Sequence, residues 1–529
     1  MLLAHGRYAG ALRDVKQMKT LYRNFRWWED GTTRDMLVED GRVAFNGPAY
    51  RGSTEGTSVE DLGNRLMYPS FVDNHCHILP TGLDLQKLNL GSCTSNEEVL
   101  DAVAGRLPST HNGNWLHAVH YDQTKFGGVF LTRTDLDKVS TSIPILLRHV
   151  NGHASVANSA ALRAAGVEDD ATDPEGGSYG RDSAGTVNGV LFESAHERVT
   201  HRAPIPSVDE MVDAILLASE RMADFGICCA SDMMTGRFDL FRELEAYQVA
   251  AQRGCRIAVR LYLQWGEVFK KDGGFRSEDV QERIRSYRGE GWNAPQIAGI
   301  KIFADGAIGS ATAAVYGQYS GAPSAGYRVS QHAQSAAAHA PQELEVSGQL
   351  IYTPDRLKSM VRIAHDAGYQ VAIHSIGDYS TDLVMDAYEE LDEAFRHRIE
   401  HAMILSDSQI ERMAAMGIHC SMQPEFLMRF GHSYQRQLGP ERTAKLNRAR
   451  SLIDAGVKLS FSSDRPIVGG NPLDGIKVAT SRPEGFDPSE NITLVEAVHA
   501  YTAAGAEVVQ DSDFGALLPG QLAKFRLED

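Results

Sequence analysis

Cysteine is scarce in this chain: it stands only at Cys76, Cys93, Cys228, Cys229, Cys255 and Cys420 of 529 residues. No C-x-x-C spacing or disulfide framework appears, so a reducing cytoplasm suits the protein. Long apolar runs are missing too; no stretch approaches the roughly 20 residues of a membrane span. The opening Met-Leu-Leu-Ala-His-Gly-Arg has no extended apolar segment, so no secretory signal is expected. Basic residues are in deficit, 52 against 69 acidic, for a net charge of −17. That balance argues against nucleic acid and anionic membranes as partners. A small-molecule substrate is the partner to expect, with a homodimer left open. No repeat of fixed period runs through the sequence.

What is present is an ordinary globular composition, 43% hydrophobic, and length enough for a large core. The chain is organised around Met67-Tyr-Pro-Ser-Phe-Val-Asp-Asn-His-Cys-His77. Phe71 and Val72 suit a buried strand. His75 and His77, two residues apart on extended backbone, point to the same side and can reach one cation. By itself the pair reads equally well as two polar loop histidines. Cys76 points the other way and is expected to pack.

Before this stretch, Leu21–Trp28, Asp35–Glu39 and Arg42–Phe45 read as strands, with Asp40-Gly41 as a two-residue hairpin turn. After it, residues 99–202 are mixed. Trp115–Val119 and Ile143–Leu147 read as strands, and Asn158 caps a helix ending at Gly166. This region is taken as an α+β insertion over one end of a barrel. Beyond it helices and strands alternate. Strands near residues 70, 228, 259, 300, 371, 399, 420 and 460 make eight, the (β/α)8 TIM-barrel pattern of an α/β protein. Residues 320–350, which include the low-complexity Gln331–Gln342, read as a mobile insertion after the fourth strand.

Barrel active sites lie at the C-terminal ends of the strands. Those ends carry His75 and His77, Lys301, His374 in Val371-Ala-Ile-His374, His401 in Arg398-Ile-Glu-His401, and Asp464 in Phe461-Ser-Ser-Asp464. Histidine and carboxylate donors in an open site suit one or two divalent ions, Zn²⁺ first, with Mn²⁺ or Fe²⁺ as alternatives. Lys301 sits among Ile300, Ile302 and Phe303. A bare ammonium there is desolvated and repels a cation, whereas a carbamate formed with CO₂ is an anion that can bridge two metals. The plain alternative is a lysine snorkelling or paired with Asp305.

The combination resembles the amidohydrolase superfamily, in the amidohydrolase-3 branch that includes N-substituted formamide deformylases. It is carried by Pro69–His77, Asn151-Gly-His-Ala-Ser-Val-Ala-Asn158, Gly189-Val-Leu-Phe-Glu193, Lys301-Ile-Phe-Ala-Asp-Gly-Ala-Ile-Gly-Ser310, Ile373–Asp378, Arg398–His401, Gln423-Pro424 and Ser463-Asp-Arg-Pro466. The resemblance implies a metal-dependent hydrolase with a TIM barrel (67–484) and a small composite β-sandwich from both chain ends (1–66 with 485–529). It further implies His75 and His77 on one metal, His374 and His401 on the other, carboxylated Lys301 between them, and Asp464 beside the nucleophilic water. It makes His153 a mouth residue contacting substrate or oxyanion; apart from the resemblance it reads as a loop histidine. Ser70, Arg465 and Lys524 depart from the branch's usual pattern. Glu400 is read as turned away from the metal by strand alternation. Arg465, Gln423, Tyr121 and Asp122 are the expected substrate contacts, Arg465 toward a carboxylate. The activity expected is hydrolysis of a non-peptide C–N bond, amide or formamide, with Asp464 as general base and then acid. A lactone or ester hydrolase on the same site and a non-catalytic binding protein are the alternatives.

Overall fold

The computed structural model describes residues 19–107, 115–150, 154–174, 177–321 and 333–528. It divides into two units, the described parts of Met1–Ser70 with Asp511–Asp529, and Phe71–Gln510.

The larger unit is built on eight parallel strands: β1 Phe71–Cys76, β2 Ile227–Thr235, β3 Ala258–Gln264, β4 Gln296–Phe303, β5 Gln370–Ser375, β6 Arg398–His401, β7 His419–Met422 and β8 Lys458–Phe461. Each pairs with its sequence neighbour, as expected from the alternating pattern. The circle closes between β8 and β1 through Asn74 Nδ2 to Phe461 O at 2.9 Å, Ser463 N to Asp73 Oδ1 at 2.9 Å and Asp464 N to His75 O at 2.7 Å. These strands are buried on both faces, which explains their near-continuous apolar runs.

The outer helices follow from their caps and apolar stripes. Val208–Asp224 starts at a capping box of Ser207 and Glu210, and it buries Met211, Ala214, Ile215, Ala218 and Met222 along one face. The helix Ile78–Gln86 crosses it at Gly82, where a Cβ would stand 1.9 Å from Ala214 O. Only glycine permits that approach.

The inserted region begins earlier than residue 99. Its six-stranded sheet runs Gly177–Arg181, Val187–Glu193, Ala154–Ala157, Ile145–His149, Leu116–Tyr121 and Leu88–Asn89 in spatial order. Asn158 caps the helix Ser159–Ala164 by accepting from Ala161 N at 2.9 Å. Within the segment expected to be a mobile insertion, the described residues 333–350 include short antiparallel ribbons. Val346–Ser347 pairs with Val315–Tyr316, and Gln334–Ser335 pairs with Gln349–Leu350.

The smaller unit is one hydrogen-bonded sheet of six strands, from Lys19–Trp27, Thr33–Glu39, Arg42–Gly47, Ser58–Asp61, Leu66–Pro69 and Phe525–Glu528. Asp40 and Gly41 have φ of 49° and 79°, the left-handed pair that a two-residue hairpin needs. The last strand runs antiparallel to Leu66–Pro69, so both chain ends contribute. The boundary is corrected at the C-terminal side. Residues 485–510, assigned from sequence to this unit, carry helices Leu494–Tyr501 and Ala503–Val508 on the barrel. Tyr501 packs its ring on Phe71 of β1 and Phe461 of β8, at 6.3 and 5.5 Å between centroids.

Candidate metal centre

His75 lies in β1 and His77 just beyond it, ahead of the helix Ile78–Gln86. Asp232 of β2 fixes that junction. Its Oδ2 accepts from Ile78 N at 2.9 Å, Leu79 N at 3.3 Å and Tyr247 Oη at 2.5 Å. A buried carboxylate on the first amides of a helix satisfies donors that the helix cannot.

Asp464 follows β8 with φ of 55°. Its Oδ1 is 2.9 Å from His77 Nε2 and 3.4 Å from His75 Nε2. One ligating atom from each of these three residues lies within 4.8 Å of the others. Burial alone would raise the Asp464 pKa, but the His75 and His77 contacts hold it well below the usual carboxylate range.

His401 brings its ring to 4.8 Å from His75 and 4.4 Å from His374, between centroids. Each of these three imidazoles has one nitrogen tied to an oxygen. His75 Nδ1 meets Glu400 Oε2 at 2.5 Å, His401 Nδ1 meets Gln423 Oε1 at 2.7 Å, and His374 Nε2 meets Gly306 O at 2.9 Å. An oxygen acceptor makes the tied nitrogen the donor, which leaves the lone pair on the other nitrogen. Burial pushes the His374 pKa down to about 3 and holds His401 well below its usual value, so both stay neutral.

Lys301 is 2% exposed, and its Nζ has no hydrogen-bond partner. Burial lowers its pKa to about 8 against the pull of Glu400 and Asp464. The pairing with Asp305 does not form. Asp305 instead accepts from the amides of Ile376, Gly377 and Ala314 at 2.9–3.0 Å and from Ser380 Oγ at 2.6 Å, which ties the loop after β4 to the end of β5.

His77 Nδ1 and Lys301 Nζ are thus buried polar atoms without a partner, beside a carboxylate and neutral imidazoles. Such orphans ask for a ligand. Nitrogen and oxygen donors of this kind fit a divalent metal ion.

Other residues stand where neither spacing nor strand alternation puts them. Glu400 is not turned outward: it holds His75 and is held by Arg398, whose Nη2 donates to it at 2.9 Å. Strand alternation fails because His401 has φ of 75°, so consecutive side chains both reach the interior. Gln423 is 1% exposed, clamped between His401 and Ser462 Oγ (2.9 Å), and supports a histidine rather than lining a pocket. Arg465 lies over the Phe225 ring at 5.4 Å, and burial lowers its pKa against the pull of Asp73. It packs behind β1 instead of facing the mouth. Tyr121 is fully buried in the inserted region, where its hydroxyl accepts from Leu131 N at 2.9 Å. Asp122 is half-buried beyond the same strand. His153 lies outside the described residues. Sequence reading missed Asp232 and Arg398. The only trace of each was a charged residue inside an apolar strand.

The model of the Amidohydrolase family matches residues 58–527. Protein LONG AFTER FAR-RED 3 of Arabidopsis thaliana is 29% identical over 510 residues, 93% of this chain and 83% of that protein. The N-substituted formamide deformylase of Arthrobacter pascens is 26% identical over 525 residues, 93% of this chain and 89% of that protein. Among solved structures, an uncharacterized metal-dependent hydrolase of Pyrococcus furiosus superposes with a TM-score of 0.77 at 25% identity, over 97% of this chain and 99% of that one. No helix among the described residues is long and apolar enough to cross a membrane. With its eight-stranded barrel and the cluster at the strand ends, the chain belongs to the amidohydrolase family of metal-dependent hydrolases.

Proposed function

We propose that the protein hydrolyses a non-peptide C–N bond, of the amide or formamide type, in a small molecule, with Asp464 moving the proton. The observation that carries this is the meeting of His75, His77 and Asp464 within 4.8 Å at the strand ends of the barrel. The formamide deformylase relative supports the bond type. His75, His77, His374, His401 and Asp464 would hold one or two divalent ions, zinc in first place. A bound ion of this class supplies Lewis acidity toward water and a carbonyl oxygen. Asp464, held ionised by its histidine contacts, accepts a proton from the attacking water. Water oxygen bonds to the carbonyl carbon, the C–N bond breaks, and the same proton passes from Asp464 to the leaving nitrogen. Glu400, Gln423 and Gly306 keep three imidazoles oriented through both steps. Lys301 would take up CO₂ on its partnerless amine, with loss of a proton, and so offer an anionic oxygen donor to the cluster.

The test is turnover of a panel of formamides and amides by metal-stripped, zinc-reloaded and Asp464→Asn protein. Reloading is expected to restore turnover. The asparagine variant should lose about 10²–10⁴-fold in kcat, the usual worth of a positioned proton-transfer group. Full turnover by rigorously metal-free protein, or by the asparagine variant, refutes the reading.

A further inference from the structure

The cation expected to meet an anionic substrate, Arg465, is packed behind β1. Another cation stands at the end of β2. Arg237 lies two residues past that strand and is exposed. Its only polar contact is Nη1 to Met234 Sδ at 3.1 Å, and no carboxylate lies within salt-bridge distance among the described residues. A guanidinium carries five donors, and a thioether is a weak acceptor, so most of this fork is unused.

The loop that presents Arg237 is built rather than loose. Glu243, 1% exposed, accepts from Gly236 N at 2.7 Å, Phe238 N at 2.6 Å and Asp239 N at 3.3 Å. Asp232 adds a bond from Met234 N at 2.9 Å. Both acids spend their hydrogen bonds on amides, and neither comes within salt-bridge distance of the guanidinium, although the charge of each acts on it. Although Arg237 is open to solvent, burial lowers its pKa, and Asp84 and Arg148 come next among the influences on it.

Close to Arg237 stand two further cations, Lys87 and, from the inserted region, Arg148. Asp84 is shared by Lys87 at 2.7 Å and Arg148 at 2.5 Å, so each of its two oxygens already has a cation other than Arg237. Burial, then Lys87 and Arg148, push the nearby His117 down to about 4. Arg237 follows the C-terminal end of β2 and so stands at the catalytic end of the barrel. Gln264 of β3, which donates to Met234 O at 3.4 Å, stands opposite Lys301 in the β3–β4 register.

Building on the proposed hydrolysis, we infer that Arg237, backed by Arg148 and Lys87, anchors a carboxylate carried by the substrate away from the bond that is cut. The planar fork pairs with a carboxylate through two parallel hydrogen bonds, and a rigid loop lowers the cost of holding it there. The preferred substrates are therefore N-acyl or N-formyl compounds with a free acid group.

The test uses zinc-loaded full-length protein and two matched pairs: N-formyl-6-aminohexanoate against its terminal amide for turnover, and 6-acetamidohexanoate against its terminal amide for calorimetric binding. Wild type is expected to favour the acid at least tenfold in each measurement. Arg237→Ala should bring that ratio close to one, and Arg237→Lys should keep part of it. Equal handling of acid and amide by wild type, a ratio unchanged in Arg237→Ala, or no binding of either compound overturns the inference. Acid-selective, Arg237-dependent binding without turnover of the formyl pair leaves the anchor standing and counts instead against the formamide reading.

Discussion

Replacing Glu400 by glutamine separates what this carboxylate does for the fold from what it does for the metal centre. Glu400 is completely buried, and it touches two groups of opposite need. Oε2 takes the His75 Nδ1 proton at 2.5 Å, and the carboxylate pairs with Arg398, itself without exposure. Arg398 also donates to Asn74 O at 2.8 Å, Asn74 Oδ1 at 3.1 Å and Tyr262 Oη at 3.1 Å, but none of these acceptors is charged. Glutamine keeps the shape and removes the charge, so the guanidinium stays buried without a counter-ion. Breaking a buried pair from one side costs about 3–5 kcal/mol. The remaining neutral bonds place the expected loss toward the lower end, about 3 kcal/mol in urea unfolding of the metal-free protein. The second effect is on His75. Glutamine can still accept from Nδ1 through its amide oxygen, but more weakly than a carboxylate, so metal binding should weaken by up to the roughly 10–100-fold of losing such a partner, which a chelator competition measures directly. The double variant Arg398→Met with Glu400→Leu removes the stranded charge. It should recover part of the stability, because an apolar pair of similar size can replace a buried ion pair at little cost. Metal affinity should stay low, because leucine leaves His75 Nδ1 with no acceptor. Metal affinity within about twofold of wild type in both variants would refute the orienting role. Recovery of metal affinity together with stability in the double variant would show that Glu400 acts only through the fold.

Two further outcomes are expected. Lys301→Met keeps the apolar stem and deletes an amine that makes no hydrogen bond, so metal-free protein should unfold no earlier than wild type while metal content and turnover fall together; Lys301→Ala should regain part of both with added formate, and full metal content and turnover in the methionine variant would remove Lys301 from the centre. His397, 6% exposed, accepts from Val371 N at 3.0 Å and is held near a pKa of about 3 by burial and by His365; since the unfolded imidazole titrates near about 6.5, the unfolded chain binds more protons below that pH, and the stability this residue contributes is complete above about 6.5 and lost as pH falls toward 3, about 2 kcal/mol by pH 5. Unfolding titrations at pH 7 and pH 5 should show a shallower loss in His397→Gln, and an equal loss in both proteins would contradict the assignment.

The sequence showed those parts of the molecule whose signals are local. Eight short apolar segments spaced by capped helices admit few architectures, and a histidine or aspartate at the end of such a segment is already at the mouth, because parallel strands all deliver their C-terminal ends to one side. The hairpin at Asp40-Gly41 and the Asn158 cap were readable for the same reason: each needs only two to four neighbouring residues. What escaped depends on where a side chain points after the strand rule stops applying. Glu400 was given to the outside by alternation, and a single residue with φ of 75° brought it in beside His401. Arg465 was given to the mouth by its place next to Asp464, yet it lies back over Phe225. Arg237 drew no attention, since an arginine in a polar turn has no pattern at all. It stands out only when Glu243 is seen holding its loop and Arg148 and Lys87 are seen close to it with Asp84 between them. The residues proposed to choose a substrate are thus the least legible here: the metal centre is written along the strands, whereas the charges around Arg237 are assembled from helices and loops far apart in the chain.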